Sequence, residues 1–359
     1  MSHADAIGTE RLLAATLAGV RLPANFVEWE RLIRIAREAN LLGTLAMRLR
    51  DAGTLASIPP EPRAHFVAAE VTSKAQEAAV RREFVELRAA LAGVGVPVVL
   101  LKGAAYLAAE LPAALGRMFS DIDILVPKHA LPKVESALML AGFSTTHLHP
   151  YDQRYYRKWR HELPPMTHVK RLTTIDVHHT ILAEISGVHV DVDALLRDAR
   201  PLPAPTGFQV LAPVDMVLHS ATHLFRNEDL THGYRDLVDI DALLRHFGDE
   251  GFWRRLPARA RALGLGRSLH YALHWAARLF ATPIPPTVSA ALAEHAPPPA
   301  TRWLMEAILG NALRPRLHDP ATRWARRAMY VRGHWLKMPV PLLAWHLTYK
   351  ALRRDEEPA

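Results

Sequence analysis

Ser120-Asp121-Ile122-Asp123-Ile124-Leu125-Val126 decides how this chain folds. Side chains of a strand alternate between its two faces. Asp121 and Asp123 therefore share one face, while Ile122, Ile124 and Val126 point the other way, into a core. Taken alone, an Asp-x-Asp triplet is more often a solvated turn or strand edge. On a buried strand the two like charges repel, and they cost free energy until a cation or another partner neutralises them. The natural partner is a hard divalent ion such as Mg²⁺, which takes oxygen ligands and is commonly shared with substrate phosphates.

The flanking sequence supplies an α/β frame. Upstream, Val96-Pro97-Val98-Val99-Leu100-Leu101 is an apolar, β-branched run stopped by Lys102-Gly103, as in a buried strand entering a tight turn. Residues 104–111 have the composition of a short helix ended by Pro112. A glycine at such a turn lets the backbone approach a phosphate, the helix start offers free N–H groups, and Lys102 adds a point charge. An ordinary strand-to-helix turn with a surface lysine has the same composition. Arg117 stands four residues before Asp121, Pro127 stops the strand, and residues 129–141 read as an amphipathic helix before Gly142-Phe143. A third acid lies in Thr173-Thr174-Ile175-Asp176-Val177-His178-His179, where alternation puts Asp176 and His178 on one face. Strand, turn, helix, Asp-rich strand, helix is an α/β order and not that of a helical bundle.

These separated motifs carry a resemblance. Leu101-Lys102-Gly103, then Arg117, then Ser120-Asp121-Ile122-Asp123-Ile124-Leu125-Val126, then Ile175-Asp176-Val177-His178 resembles the polymerase-beta-like nucleotidyltransferase superfamily. Within it the chain is most similar to the uncharacterised bacterial nucleotidyltransferases. The likeness is strongest over about 96–180 and continues more weakly into 29–49 and the region after 213. The resemblance implies an α+β fold, with a small mixed sheet flanked by helical regions. It implies that Asp121, Asp123 and Asp176 bind catalytic Mg²⁺ or Mn²⁺ and that Asp176 activates an acceptor hydroxyl. Lys102, Gly103 and Ser120 then hold the phosphates of a nucleoside triphosphate, ATP first among them, with Arg117 steadying their charge. His178 stands as a ligand, a proton relay or a packed neighbour. The superfamily's Gly-Ser phosphate turn reads Gly103-Ala104 here, so one hydroxyl contact is missing.

Composition bounds the rest. The chain has 359 residues, half of them hydrophobic, which is enough for a large core. It has no cysteine, which excludes disulfides, thiolate nucleophiles and cysteine-ligated zinc. The N-terminus lacks a basic leader and reads as an amphipathic helix, and no run reaches the roughly 18 apolar residues of a membrane span. Cytoplasmic location is the expectation. Three regions follow: helices over 1–94, an α/β core over 95–212 with a hairpin around 155–171, and helices over 213–359. The first C-terminal helix opens at Pro213 and carries His219 and His223 one turn apart, facing substrate or the core; as a zinc pair they lack the glutamate expected between them. Arg235, Asp236, Asp239 and Asp241 follow on the next helix and read as buried salt-bridge partners.

The net charge of +8 is concentrated late in the chain. Between Arg314 and Arg354 ten Arg/Lys face the single acid Asp319, interleaved with Trp324, Tyr330, Trp335, Trp345 and Tyr349. That mixture suits solvation, an anionic membrane surface or nucleic acid. Three functional expectations result. The first is metal-dependent nucleotidyl transfer to a hydroxyl of a sugar, small molecule, peptide or protein. The second is a toxin–antitoxin-type enzyme that nucleotidylates protein or RNA. The third is a non-catalytic nucleotide sensor or scaffold whose basic tail binds membrane or RNA.

Overall fold

The structure is a computed structural model and describes residues 3–145, 162–203, 207–316 and 319–337. Four helices open the chain: α1 (His3–Leu17), α2 (Phe26–Glu38), α3 (Leu42–Asp51) and α4 (Pro60–Leu91). Asn25 caps α2 by accepting the Glu28 N–H, and Trp29, Leu32, Ile33 and Ala36 then bury one face at helical spacing. Pro60 occupies the first position of α4, where its missing N–H costs nothing, and the helix runs unbroken for 32 residues.

The core follows as β1 (Val99–Leu100), α5 (Lys102–Ala108), β2 (Ile122–Leu125), α6 (Leu131–Leu140), β3 (Phe143–Ser144), β4 (Met166–His168), β5 (Thr174–His178), α7 (Val192–Asp198), β6 (Arg200–Pro201) and β7 (Gln209–Val210). The seven strands form one mixed sheet in the order β3-β4-β5-β2-β1-β7-β6. Central β2 pairs parallel with β5 and antiparallel with β1. Its four residues are all buried, as their apolar run and central place require. The fold is α+β, a small mixed sheet with helical flanks. The helix after the Lys-Gly turn starts at Lys102, two residues earlier than its composition suggests, because extended Leu101 ends the strand and the chain turns at once. Of the hairpin expected around 155–171, residues 155–161 lie outside the described residues; β4 and β5 pair antiparallel across the turn that follows.

The C-terminal region contributes α8 (Pro213–Arg226), α9 (Gly233–Phe247), α10 (Glu250–Ala262), α11 (Gly266–Phe280), α12 (Pro286–Ala291), α13 (Pro299–Ala312) and α14 (Pro320–Lys337). Buried Asp215 on α8 and Asp198 on α7 both accept from Arg259 of α10, at 2.7 and 2.9 Å, tying these helices together. Of the basic aromatic stretch, α14 presents Trp324 and Trp335 to solvent; residues 338–354 lie outside the described residues. Among the described residues no helix is long and apolar enough to cross a membrane.

Long α4 underlies the loops that carry the acidic motif. Gln76 accepts the Phe119 N–H at 2.9 Å, and Glu83, 4% exposed, takes a two-pronged bond from Arg171 in the β4–β5 turn. A forked guanidinium–carboxylate pair fixes orientation as well as distance. One helix thereby sets both the approach to β2 and the start of β5.

Candidate functional site

Parallel pairing of β2 with β5 sets Asp123 opposite Asp176 and Leu125 opposite His178. Residues in register across parallel strands point to the same face, so the carboxylates of Asp123 and Asp176 and the His178 ring gather on one side of the sheet. Asp121 joins them from just before β2, and Ser120 donates its hydroxyl to Asp121 Oδ1 at 3.0 Å. Lys102 enters from the start of α5. Its φ of 45° lies in the left-handed region, which a residue with a β-carbon occupies at a cost of about 1–3 kcal/mol. Strain of this kind concentrates where a side chain must be aimed, and the Lys102 ammonium is aimed at Asp123.

Asp123 is the electrostatic centre. Its Oδ1 accepts from Lys102 Nζ at 3.0 Å and from His178 Nε2 at 2.8 Å. Burial alone opposes its charge, but Lys102 and the His178 hydrogen bond hold its carboxyl well below the ordinary range. His178 is clamped from the other side by Glu162, whose Oε2 lies 3.2 Å from Nδ1, and Glu162 bridges to His178 through the backbone as well. Burial works against a charged imidazole there, yet the Asp123 bond and the Glu162 charge raise its pKa. Asp176 has no such support. Burial first, then the charges of Asp123 and Glu162, push its carboxyl up to about 7, and its buried Oδ1 has no hydrogen-bond partner. Asp121 is shifted upward by burial and by Asp123.

A cleft between the sheet and the C-terminal helices opens over this group in two lobes. One, of about 210 Å³, is lined by Lys102, Gly103, Arg117 and Asp123 from the core and by Arg235 and Asp236 from α9. Its charges are already matched. Arg117 Nε donates to Asp239 at 3.0 Å, Arg235 bonds Asp236 at 2.8 Å, and the Tyr106 hydroxyl meets Ser220 at 2.6 Å. Burial opposes the Arg117 charge, but Asp239 and Asp236 outweigh it and push the guanidinium further up. The second lobe, of about 190 Å³, is lined by Asp176, His178 and Glu162 from the core and by Thr222 and Arg226 from α8. Lys102, Asp121, His223 and Asn227 border both.

The ten residues read from the sequence as catalytic, nucleotide-binding or substrate-facing lie in or beside this cleft, in distinct settings; of the expected salt-bridge acids, Asp241 lies outside it and bonds Arg245. Gly103 faces the Arg117 guanidinium: a Cβ built there would lie 2.8 Å from Arg117 Cζ, so the missing side chain admits the arginine. His219 is buried next to the lobes, and burial, with the charges of Lys102 and His223, drops its pKa well below the usual value. Sequence reasoning missed Glu162, Tyr106, Ser220, Thr222 and Arg226. A signal did exist for two of them: His219, Thr222, His223 and Arg226 follow i, i+3, i+4, i+7 and so form a polar stripe down one face of α8. Glu162 had none, since only strand pairing brings it to His178. As placed, no three His, Asp or Glu side chains among the described residues converge closely enough to grip a metal ion.

The chain matches no curated protein and no solved structure. A family model described as an uncharacterised nucleotidyltransferase matches residues 25–281, from the start of α2 to the end of α11 and across every residue of the cleft. With most of its length covered by that match, the chain belongs to this family of uncharacterised nucleotidyltransferases.

Proposed function

We propose that this protein transfers a nucleotidyl group from a nucleoside triphosphate, ATP first among them, to an acceptor hydroxyl, using Mg²⁺ or Mn²⁺ held by Asp121, Asp123 and Asp176. One observation carries the reading: two carboxylates stand in register on adjacent strands, and one of them keeps a buried oxygen without a partner and a pKa near neutrality. Asp121 and Asp176, whose carboxylates bond no cationic side chain, offer the oxygen donors a hard divalent cation takes, and the three aspartates would have to draw closer to grip it. Such a cation, when bound, supplies charge neutralisation at the phosphates and at the departing pyrophosphate.

The side chains do the rest. Asp176 takes the proton of the acceptor hydroxyl. The acceptor oxygen bonds to the α-phosphorus, the bond from that phosphorus to its bridging oxygen breaks, and pyrophosphate leaves with the electron pair. Asp123 stays ionised throughout under Lys102 and His178, and Glu162 holds the His178 ring in place. Lys102 faces both lobes and balances phosphate charge beside Asp123. Arg117, with its Nε engaged by Asp239, lines the first lobe.

The test is calorimetric titration of each nucleoside triphosphate, with and without Mg²⁺, into wild type and Asp176→Asn. Asp176 is the better choice than Asp123, because replacing Asp123 also removes the oxygen that accepts from both Lys102 and His178. Triphosphate binding that requires metal and weakens in the variant supports the reading. Binding indifferent to both metal and Asp176 sinks it.

A further inference from the structure

The second lobe contains donors that nothing in the described protein satisfies. Thr222 is 1% exposed and its Oγ1 has no hydrogen-bond partner. Hydroxyls inside helices usually bond back to the carbonyl four residues earlier. Four others among the described residues do so: Ser220 to Met216 at 2.8 Å, Thr16 to Leu12 at 2.8 Å, Thr72 to Ala68 at 2.9 Å and Ser136 to Pro132 at 2.8 Å. Thr222 does not.

Arg226 is exceptional in the same way. Arg117, Arg171, Arg235 and Arg259 each reach a carboxylate, and Arg48, Arg326 and Arg332 each reach a backbone carbonyl. Half-buried Arg226 reaches none among the described residues; its Nε is buried and unpaired, and the charge felt most strongly there is that of Arg332. Both side chains come from one face of α8, a turn apart, and both line the lobe that holds Lys102 and Asp176. A buried hydroxyl and a guanidinium left unpaired cost stability. Donors without acceptors, beside an ammonium, call for an anion with several oxygens.

We propose that Thr222 and Arg226, with Lys102, form a phosphate subsite in the second lobe of the cleft. The phosphate is either the tail of the triphosphate or a phosphoryl group carried by the acceptor. The proposal rests on the nucleotidyl-transfer reading above for that choice of sources, but the subsite itself is a property of these side chains. A hydroxyl and a forked guanidinium suit a tetrahedral anion, and the adjacent carboxylates tolerate it where a cation is shared between them and the phosphate.

The experiment titrates Mg²⁺-tripolyphosphate, Mg²⁺-ATP, AMP and a sugar monophosphate into full-length wild type, Thr222→Val and Arg226→Met, and records thermal melts without ligand. Loss of one charge-assisted bond is expected to weaken binding at least about tenfold in Arg226→Met, with a smaller loss in Thr222→Val. Ligand-free Arg226→Met is expected to melt no lower than wild type, since an uncompensated charge has been removed. An arginine with a merely structural role gives the reverse: a lower melt and unchanged affinity. Loss for tripolyphosphate and ATP together assigns the subsite to the nucleotide's tail, and loss for the sugar monophosphate alone assigns it to the acceptor. If both variants bind every probe as wild type does, or if wild type binds none, the subsite is wrong. Metal- and Asp176-dependent ATP binding that ignores both variants overturns the subsite and leaves the transfer reading standing. Phosphate binding that needs Arg226 while no triphosphate responds to metal does the opposite.

Discussion

Asp123 and Asp176 occupy matched positions on neighbouring strands, yet their carboxyl groups are driven in opposite directions. Asp123 collects two donors, Lys102 and His178, on one oxygen, whereas half-buried Asp176 has an oxygen with no hydrogen-bond partner and feels the charges of Asp123 and Glu162 more strongly than that of His178. Asp176 has a folded pKa of about 7, above the unfolded value near 4. Its stabilising contribution is therefore fully present below about pH 4 and is lost as pH rises through about 7. In metal-free protein, Asp176→Asn should be more stable than wild type at pH 8 by on the order of 1–3 kcal/mol, and the gap should shrink toward pH 4. Thermal or urea unfolding across that range measures it, and a gap independent of pH refutes it. Asp123→Asn should behave oppositely. It leaves half-buried Lys102 and buried His178 without the oxygen they share, a loss of about 3–5 kcal/mol, and the same unfolding series reads it at pH 7. The period-two spacing made both aspartates legible in the sequence, because alternation is local. Glu162 was not legible, because its role exists only once a bridge to His178 has formed across sixteen residues of chain.

At the scale of elements, the approach to β2 is held by backbone contacts that side-chain patterns do not reveal. Gly116 adopts a φ of +63° and lies against Gly43 at the start of α3: a Cβ on Gly116 would fall 2.7 Å from the Thr44 nitrogen and closer still to the Gly43 carbonyl. The next residue is Arg117, which the interlock delivers to Gly103 on one side and Asp239 of α9 on the other. Gly116→Ala combines an unfavourable backbone conformation with backbone overlap, and should cost more than about 2 kcal/mol. Its midpoint in urea tests this, and an unchanged midpoint rules out the interlock. Arg117→Met leaves Asp239 buried and unpaired and should cost about 3–5 kcal/mol, whereas Arg117→Met with Asp239→Leu should recover much of the loss. A double-mutant cycle with no coupling energy would show that the pair does not link the core to the C-terminal helices. The sequence marked Arg117 and Asp239 separately, and their meeting across 122 residues depends on how α9 packs.

Taken whole, the molecule has one continuous apolar core. Buried side chains run in a single cluster from Leu12 of α1 to Met329 of α14, and the cleft is closed only where sheet and C-terminal helices meet. The closing of one site by side chains as far apart as Lys102 and Asp239 comes from packing, which no local pattern encodes. A shared core implies that the helical regions and the sheet unfold together, so far-ultraviolet dichroism and tryptophan fluorescence should give coincident transitions. A ligand bound between sheet and α8 then stabilises the entire transition, because neither wall keeps its half of the site alone. Triphosphate with Mg²⁺ at a hundred times its dissociation constant should add about 2.7 kcal/mol and move both probes equally. If dichroism and fluorescence separate, or if ligand shifts only one of them, the core is not a single cooperative unit and the cleft belongs to two bodies that meet without folding together.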